Sequence, residues 1–158
     1  MTVRIKPQAA AGALKAMLGL EAYLHECGLE IALIDLIKVR VSQMNGCAYC
    51  IDMHWKDLQA LGETAQRMYS LDAWRECSYY TPRERAALAW AEGLTDVTNG
   101  HVPDSLYDQV SREFTEKQLA DLTLAVATIN AWNRIAIASR TEPGSYRGPT
   151  KPGGAHTE

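Results

Sequence analysis

No apolar run in this chain approaches the roughly 20 residues that a bilayer-spanning helix needs. The N-terminal residues include Arg4 and Lys6 but no apolar signal core followed by a cleavage site. Charge of one sign is also missing, since 16 basic residues stand against 19 acidic ones, a net charge of −3. That balance leaves no electrostatic footprint for nucleic acid or for an anionic membrane. The expectation is a cytoplasmic protein with reduced thiols around it, and with no nucleic-acid or membrane partner. Alternating strand runs bounded by turns are absent as well, and so is any internal repeat of fixed period.

What is present reads as helix. The 158 residues are 47% hydrophobic and 22% charged, enough for one domain with its own core. Residues 8–27 carry Leu14, Met17, Leu18, Leu20 and Leu24 at helical spacing, with Gly28 as a stop. Residues 30–44 continue with Ile31, Ile34, Leu36, Ile37 and Val41 until Asn45-Gly46 breaks the pattern. A further helix is expected from about Cys47 to Leu61, and a shorter one over 63–77. Thr81-Pro82-Arg83-Glu84 and Thr115-Glu116-Lys117-Gln118 are capping boxes, predicted to start helices through Leu94 and to about Ser139. Pro103 is predicted to open a helix through Phe114. The fold class is therefore all-α, a bundle of about six or seven helices over residues 1–140. Residues 141–158, rich in proline and glycine, read as a mobile, disordered tail with no catalytic part.

The chemistry is concentrated in Cys47-Ala48-Tyr49-Cys50-Ile51-Asp52-Met53-His54. On a helix these offsets put both thiols and the imidazole on one face. Gly46 gives a tight turn into that helix. Cys47 then falls in the first turn, where free backbone N–H groups and the helix dipole favour a thiolate. His54, one turn beyond Cys50, can accept the Cys50 proton directly or through a water. In a chain with a sufficient core and no export signal, a close cysteine pair points to catalysis or metal rather than to a disulfide scaffold. Three other readings stand beside redox catalysis. The pair could be a structural disulfide or packed thiols. With His54 it could supply three of the four ligands of a zinc site, Cys27, Cys77 or a carboxylate giving the fourth. A c-type haem would need histidine directly after Cys50, where Ile51 stands, and a thioredoxin-like site would need a preceding strand. Cys27 and Cys77 read as packing residues. Tyr49 could wall the thiol pocket or pack, Trp132 reads as core or interface, and His25, His101 and His156 read as surface or structural.

The run from Asp35 to His54, with Ser42-Gln43-Met44-Asn45-Gly46-Cys47-Ala48-Tyr49-Cys50 at its centre, closely resembles the core motif of AhpD-like alkylhydroperoxidases of the carboxymuconolactone decarboxylase superfamily. The similarity continues through Lys56-Asp57 and Gly62-Glu63-Thr64, and returns at Ala73-Trp74-Arg75-Glu76 and from Thr128 to Arg134. It implies an AhpD-like helical bundle that forms a homo-oligomer, a trimer or hexamer, and works without metal or haem cofactor. It also implies roles. Cys50 matches the thiol that attacks peroxide, Cys47 the resolving thiol, and His54 the proton relay. Asp35, twelve residues before Cys47, stands where the family usually has a relay glutamate. It keeps the carboxylate but is shorter by one methylene, about 1.5 Å of reach. The expected substrate is a small organic hydroperoxide. The expected reductant is an external dithiol, by analogy a lipoyl-bearing protein.

The expectation carried forward is a thiol-dependent alkylhydroperoxidase or disulfide reductase, an oxidoreductase with Cys50, Cys47, His54 and Asp35 as its site. Two alternatives remain. One is a lactone decarboxylase of the same superfamily, whose chemistry has no need of a dithiol. The other is a non-catalytic oligomeric redox sensor or adaptor.

Overall fold

The computed structural model describes residues 2–149, and every described secondary-structure element is helical. Seven α-helices run in the order α1 (Ala11–Glu26), α2 (Ile31–Asn45), α3 (Ala48–Ala60), α4 (Ala65–Tyr69), α5 (Pro82–Thr95), α6 (Asp104–Val110) and α7 (Glu116–Ser139), with short 3-10 turns at Pro7–Ala10 and Leu71–Glu76. No helix among the described residues is long and apolar enough to cross a membrane.

Helix α2 is the centre of the bundle and packs on α3, α5 and α7. It has two apolar faces and a polar one. Ile34, Ile37 and Val41 enter one core with Val126, Ile129 and Leu122 of α7 and Ala87 and Trp90 of α5. Leu36 and Val39 enter a second core with Leu58, Leu71, Trp74 and Leu88. Asp35, Lys38 and Ser42 are buried on the third face, which Asn45 extends by three residues. Those offsets of three, four and three residues make a single helical stripe. Each member finds a partner, as buried polar groups must. Asp35 meets His54, Lys38 donates to Glu21 of α1 at 2.6 Å, and Ser42 and Asn45 join Asn133 of α7 at 3.0 and 2.8 Å.

Both capping boxes form, with Thr81 and Thr115 accepting from Glu84 and Gln118. The expected helix over 63–77 is divided. Thr64 caps α4, which ends at Tyr69, and Ala73 inside the following turn has non-helical torsions (φ −105°, ψ 24°). The tighter turn brings Leu71 and Trp74, three residues apart, onto one side and into the second core. Helix α6 stops at Val110, earlier than Phe114, which reaches the first core through the turn that follows. Arg83 lies over the Phe114 ring, 4.0 Å from its centroid.

Residues 141–149 carry no helix. They lie along α3 as a strap held by three hydrogen bonds. Gly144 N–H donates to Asp52 Oδ2 at 3.0 Å, Lys56 Nζ donates to the Tyr146 carbonyl at 3.1 Å, and Tyr146 OH donates to Asp57 Oδ1 at 2.7 Å. Gly148 lets the strap lie close, because a Cβ there would stand 3.0 Å from the Lys56 Cβ. The remainder of the expected tail, 150–158, with His156, lies outside the described residues.

Candidate functional site

The site is built at the joint between α2 and α3. Gly46 adopts a left-handed conformation (φ 69°) and ends α2, its N–H bonding to Gln43 O. Cys47 follows as the residue preceding the first turn of α3, one position outside the helix, and its N–H bonds to Ser42 O at 2.9 Å. The joint is held from across the bundle. Asn45 donates to Asn130 and Asn133 of α7, Asn133 donates to Ser42, and Asn130 donates to Thr95 at the end of α5. The Ser-Gln-Met-Asn-Gly run is therefore a polar clamp that sets where Cys47 begins.

Cys47 and Cys50 stand at disulfide distance and are bridged, with a Cα–Cα separation of 5.4 Å. Their exposures are only 1% and 4%, so any molecule that reaches the sulfurs is small or requires local opening. His54 is buried one turn beyond Cys50 on the same face. Asp35 Oδ1 lies 3.1 Å from His54 Nδ1. An ionised carboxylate only accepts, so Nδ1 is the donor and Nε2 is left as the ring's basic nitrogen. The shorter acid thus reaches the imidazole directly, with no bridging water needed. On the other side of Asp35, a cleft of about 10 Å³ is lined by Leu24, His25, Ile31, Ile34, Asp35 and Lys38. It has room for about one water molecule.

Two further groups complete the cluster, and sequence reasoning assigned neither. Asp57 Oδ2 lies 3.8 Å from the same His54 Nδ1, and Tyr146 of the strap holds its other oxygen. Asp57 had a signal available, three residues after His54 on one helix. Tyr146, far along the chain, had none. Burial pushes the Asp57 carboxyl above the usual carboxylate range, aided by the nearby Asp35 charge, although Tyr146, His54 and Lys38 pull the other way. Burial and its bond to Asp57 push the Tyr146 phenol up to about 12, so it remains a donor at neutral pH. The ligand atoms of Asp35, His54 and Asp57 all lie within 4.8 Å of one another. They are already paired through Nδ1 and capped by the phenol, an arrangement of donors and acceptors rather than a set of open ligands. The zinc set considered from the sequence is a different one, and its two sulfurs are joined to each other.

The remaining residues take supporting places. Cys27 and Cys77 are unbridged and half-buried, with Cys27 Sγ donating to Leu24 O at 3.2 Å. Tyr49 packs on the first core. Trp132 packs there too and donates to Glu21 Oε1 at 2.9 Å, beside the Lys38 pair. His25 and His101 are exposed.

A bridged Cys-x-x-Cys at a helix start, backed by a buried imidazole and carboxylate in an all-helical frame, defines an AhpD-like protein. A sequence profile of the carboxymuconolactone decarboxylase family matches residues 8–93, and the chain belongs to that family. The uncharacterised protein YdfG of Bacillus subtilis (strain 168) is 48% identical over 125 residues, which span 79% of this chain and 85% of the relative. A protein from Agrobacterium tumefaciens, proposed to be the antioxidant defence protein AhpD, superposes with a TM-score of 0.88 at 36% identity, covering 92% of this chain and all of that one. The debrominase Bmp8 superposes with a TM-score of 0.68 at 19% identity, over 82% of this chain and 70% of its own, a likeness of fold alone.

Proposed function

We propose that the protein is a thiol-dependent peroxidase that reduces small organic hydroperoxides through Cys50 and Cys47. The observation that carries the reading is the alignment of the bridged pair with the buried His54, one turn beyond Cys50 on α3, and the 3.1 Å contact of His54 with Asp35. In the reduced protein, Nε2 of His54 takes the Cys50 proton while Asp35 holds Nδ1–H. The Cys50 thiolate attacks the distal peroxide oxygen, the O–O bond breaks, and the alkoxide leaves as alcohol after taking a proton from His54. Cys50 is then a sulfenic acid. Cys47 attacks its sulfur, water leaves, and the disulfide forms. An external dithiol, a lipoyl group by analogy with relatives, exchanges with that disulfide and is oxidised in turn. The burial of both sulfurs supports a small substrate.

The proposed assembly is a homo-oligomer, a trimer or hexamer, and the proposed setting is the cytoplasm, where reduced dithiols are available. An apolar outer surface supports the assembly. Of the residues of α1 only Leu24 is buried, while Leu18 is 53% exposed. Val3 and Ile5 beside the end of α7, and Ile135 and Ile137 on it, are exposed as well.

The test is a peroxide-consumption assay with dithiothreitol or dihydrolipoamide on the wild type, Cys47→Ser and Cys50→Ser, with metal content measured on the same samples. Multiple turnover that is lost in both variants is the expected result. Turnover retained by Cys50→Ser sinks the mechanism. A disulfide that forms under oxidant but supports no turnover would make the protein a sensor. Release of carbon dioxide from a lactone by the doubly substituted protein would make it a decarboxylase.

A further inference from the structure

We propose that Tyr146 is a positioning residue for the His54 relay, holding Asp57 so that Asp35 alone orients the imidazole. The inference rests on the thiol reading of the site and adds a member to it from outside the α2–α3 joint.

Two carboxylates compete for one ring nitrogen. Asp35 stands at 3.1 Å from His54 Nδ1 and Asp57 at 3.8 Å. An N–H at Nδ1 makes one good hydrogen bond, and the second carboxylate must be satisfied elsewhere. The Tyr146 phenol does this at 2.7 Å. It is brought there by backbone contacts that do not involve its ring. Lys56 binds the Tyr146 carbonyl, Asp52 binds the Gly144 N–H, and Lys56 and Asp52 bind each other at 2.8 Å. Asp52, Lys56 and Asp57 lie along α3 on the side the strap covers, so the helix that carries the thiols also carries the strap's anchors. The groups facing Asp57 are Asp35 and Lys38 from α2, His54 from α3 and Tyr146 from the strap, and Tyr49 of α3 lies near the phenol.

Without the phenol, Asp57 is short of a donor in a half-buried place. It then draws on the Nδ1 proton or takes a proton of its own. The first pulls the imidazole off Asp35, and the second removes a negative charge beside it. Either leaves His54 a weaker or misaimed base, and Cys50 ionises less readily.

The test is a pH titration of the Cys50 thiolate in the reduced Cys47→Ser protein. It is followed by ultraviolet thiolate absorbance with the Cys47→Ser/Cys50→Ser signal subtracted. Tyr146→Phe should move the titration to higher pH and lower the thiolate present at pH 7 by about threefold, the lower end of what one hydrogen bond contributes, because the phenol acts on Cys50 only through Asp57 and His54. In an Asp57→Asn background the same change should have no further effect, because the phenol acts through Asp57. Phenylalanine keeps the ring and every backbone anchor of the strap, and thermal melting of each variant checks the fold. An unshifted titration in Tyr146→Phe overturns the proposal. So does a shift of equal size in the Asp57→Asn background, which would mean that the strap acts by general packing. Peroxide turnover is not the readout, so a protein inert to peroxide but with the shifted titration would remove the peroxidase reading and leave this one standing.

Discussion

Glu92 and Asp57 are both carboxylates set between helices, and burial pushes both upward, yet they end on opposite sides of the ordinary range. Glu92 accepts from Trp74 at 2.9 Å, from Arg40 at 2.7 Å and from Arg75. Those donors overcome its burial and hold the carboxyl below the usual range. Asp57 has one neutral donor, an imidazole 3.8 Å away and a second carboxylate close by, so burial prevails. The first arrangement fixes a charge and ties α2, α5 and the Leu71–Glu76 turn together. The second leaves a proton's place undecided beside His54. Perturbed groups of the second kind are the ones expected where protons move.

The largest effect that would sharpen this contrast is in the proposed relay. Asp35→Asn should lower dithiol-dependent peroxide turnover by about a hundredfold, the ordinary scale of a general-base contribution, with little change in melting temperature. Turnover near the wild-type value would place Asp35 outside the relay. Glu92→Gln should do the reverse. It leaves Arg40 and Arg75 without their charged partner and should cost about 2 kcal/mol in denaturant unfolding, while turnover per folded molecule stays near wild type. A large activity loss without destabilisation would break the comparison. Asp35→Glu comes next. The carboxylate already touches His54 at 3.1 Å, so an added methylene crowds a buried site, and turnover should fall a few-fold rather than rise. Higher turnover would mean that the shorter acid had been a handicap.

The smallest effect is in pH dependence. Glu92, lowered in the fold, contributes stability above the usual carboxylate range that is lost as pH falls through its lowered value. Asp57, raised in the fold, binds a proton more readily when folded, so its ionisation erodes stability as pH rises through the raised value. Denaturant unfolding followed across mildly acidic pH should show Glu92→Gln removing a gain and Asp57→Asn removing a loss. Asp57→Asn that destabilised the fold as much as Glu92→Gln would erase the distinction.

Much of this was legible in the chain. The two capping boxes and the Asn45-Gly46 break place α5, α7 and the α2–α3 joint nearly to the residue, because caps and left-handed stops depend on local backbone chemistry alone. Cys47, Cys50 and His54 were legible for the same reason, since helical spacing brings them together without help from the rest of the fold. Asp35 entered through resemblance, and only packing of α2 on α3 supplies its 3.1 Å contact. The division of 63–77 escaped because Leu71 and Trp74 are drawn inward by a core that local propensity does not register. Tyr146 escaped because a segment poor in apolar residues gave no reason to expect docking, and its anchors are polar groups on a distant helix.

The polar stripe of α2 has a consequence for uniqueness. The two apolar faces of that helix, Ile34, Ile37 and Val41 on one side and Leu36 and Val39 on the other, are both aliphatic and similar in bulk. Rolled about its axis by roughly half a turn, α2 could offer one face in place of the other at modest cost in packing. The same roll would take Asp35, Lys38 and Ser42 away from His54, Glu21 and Asn133, at a few kcal/mol for each group left buried without a partner. The stripe therefore indexes the helix, selecting one rotational setting from several that greasy packing would accept. A bundle built this way acquires a single answer from the same side chains that aim an acid at an imidazole.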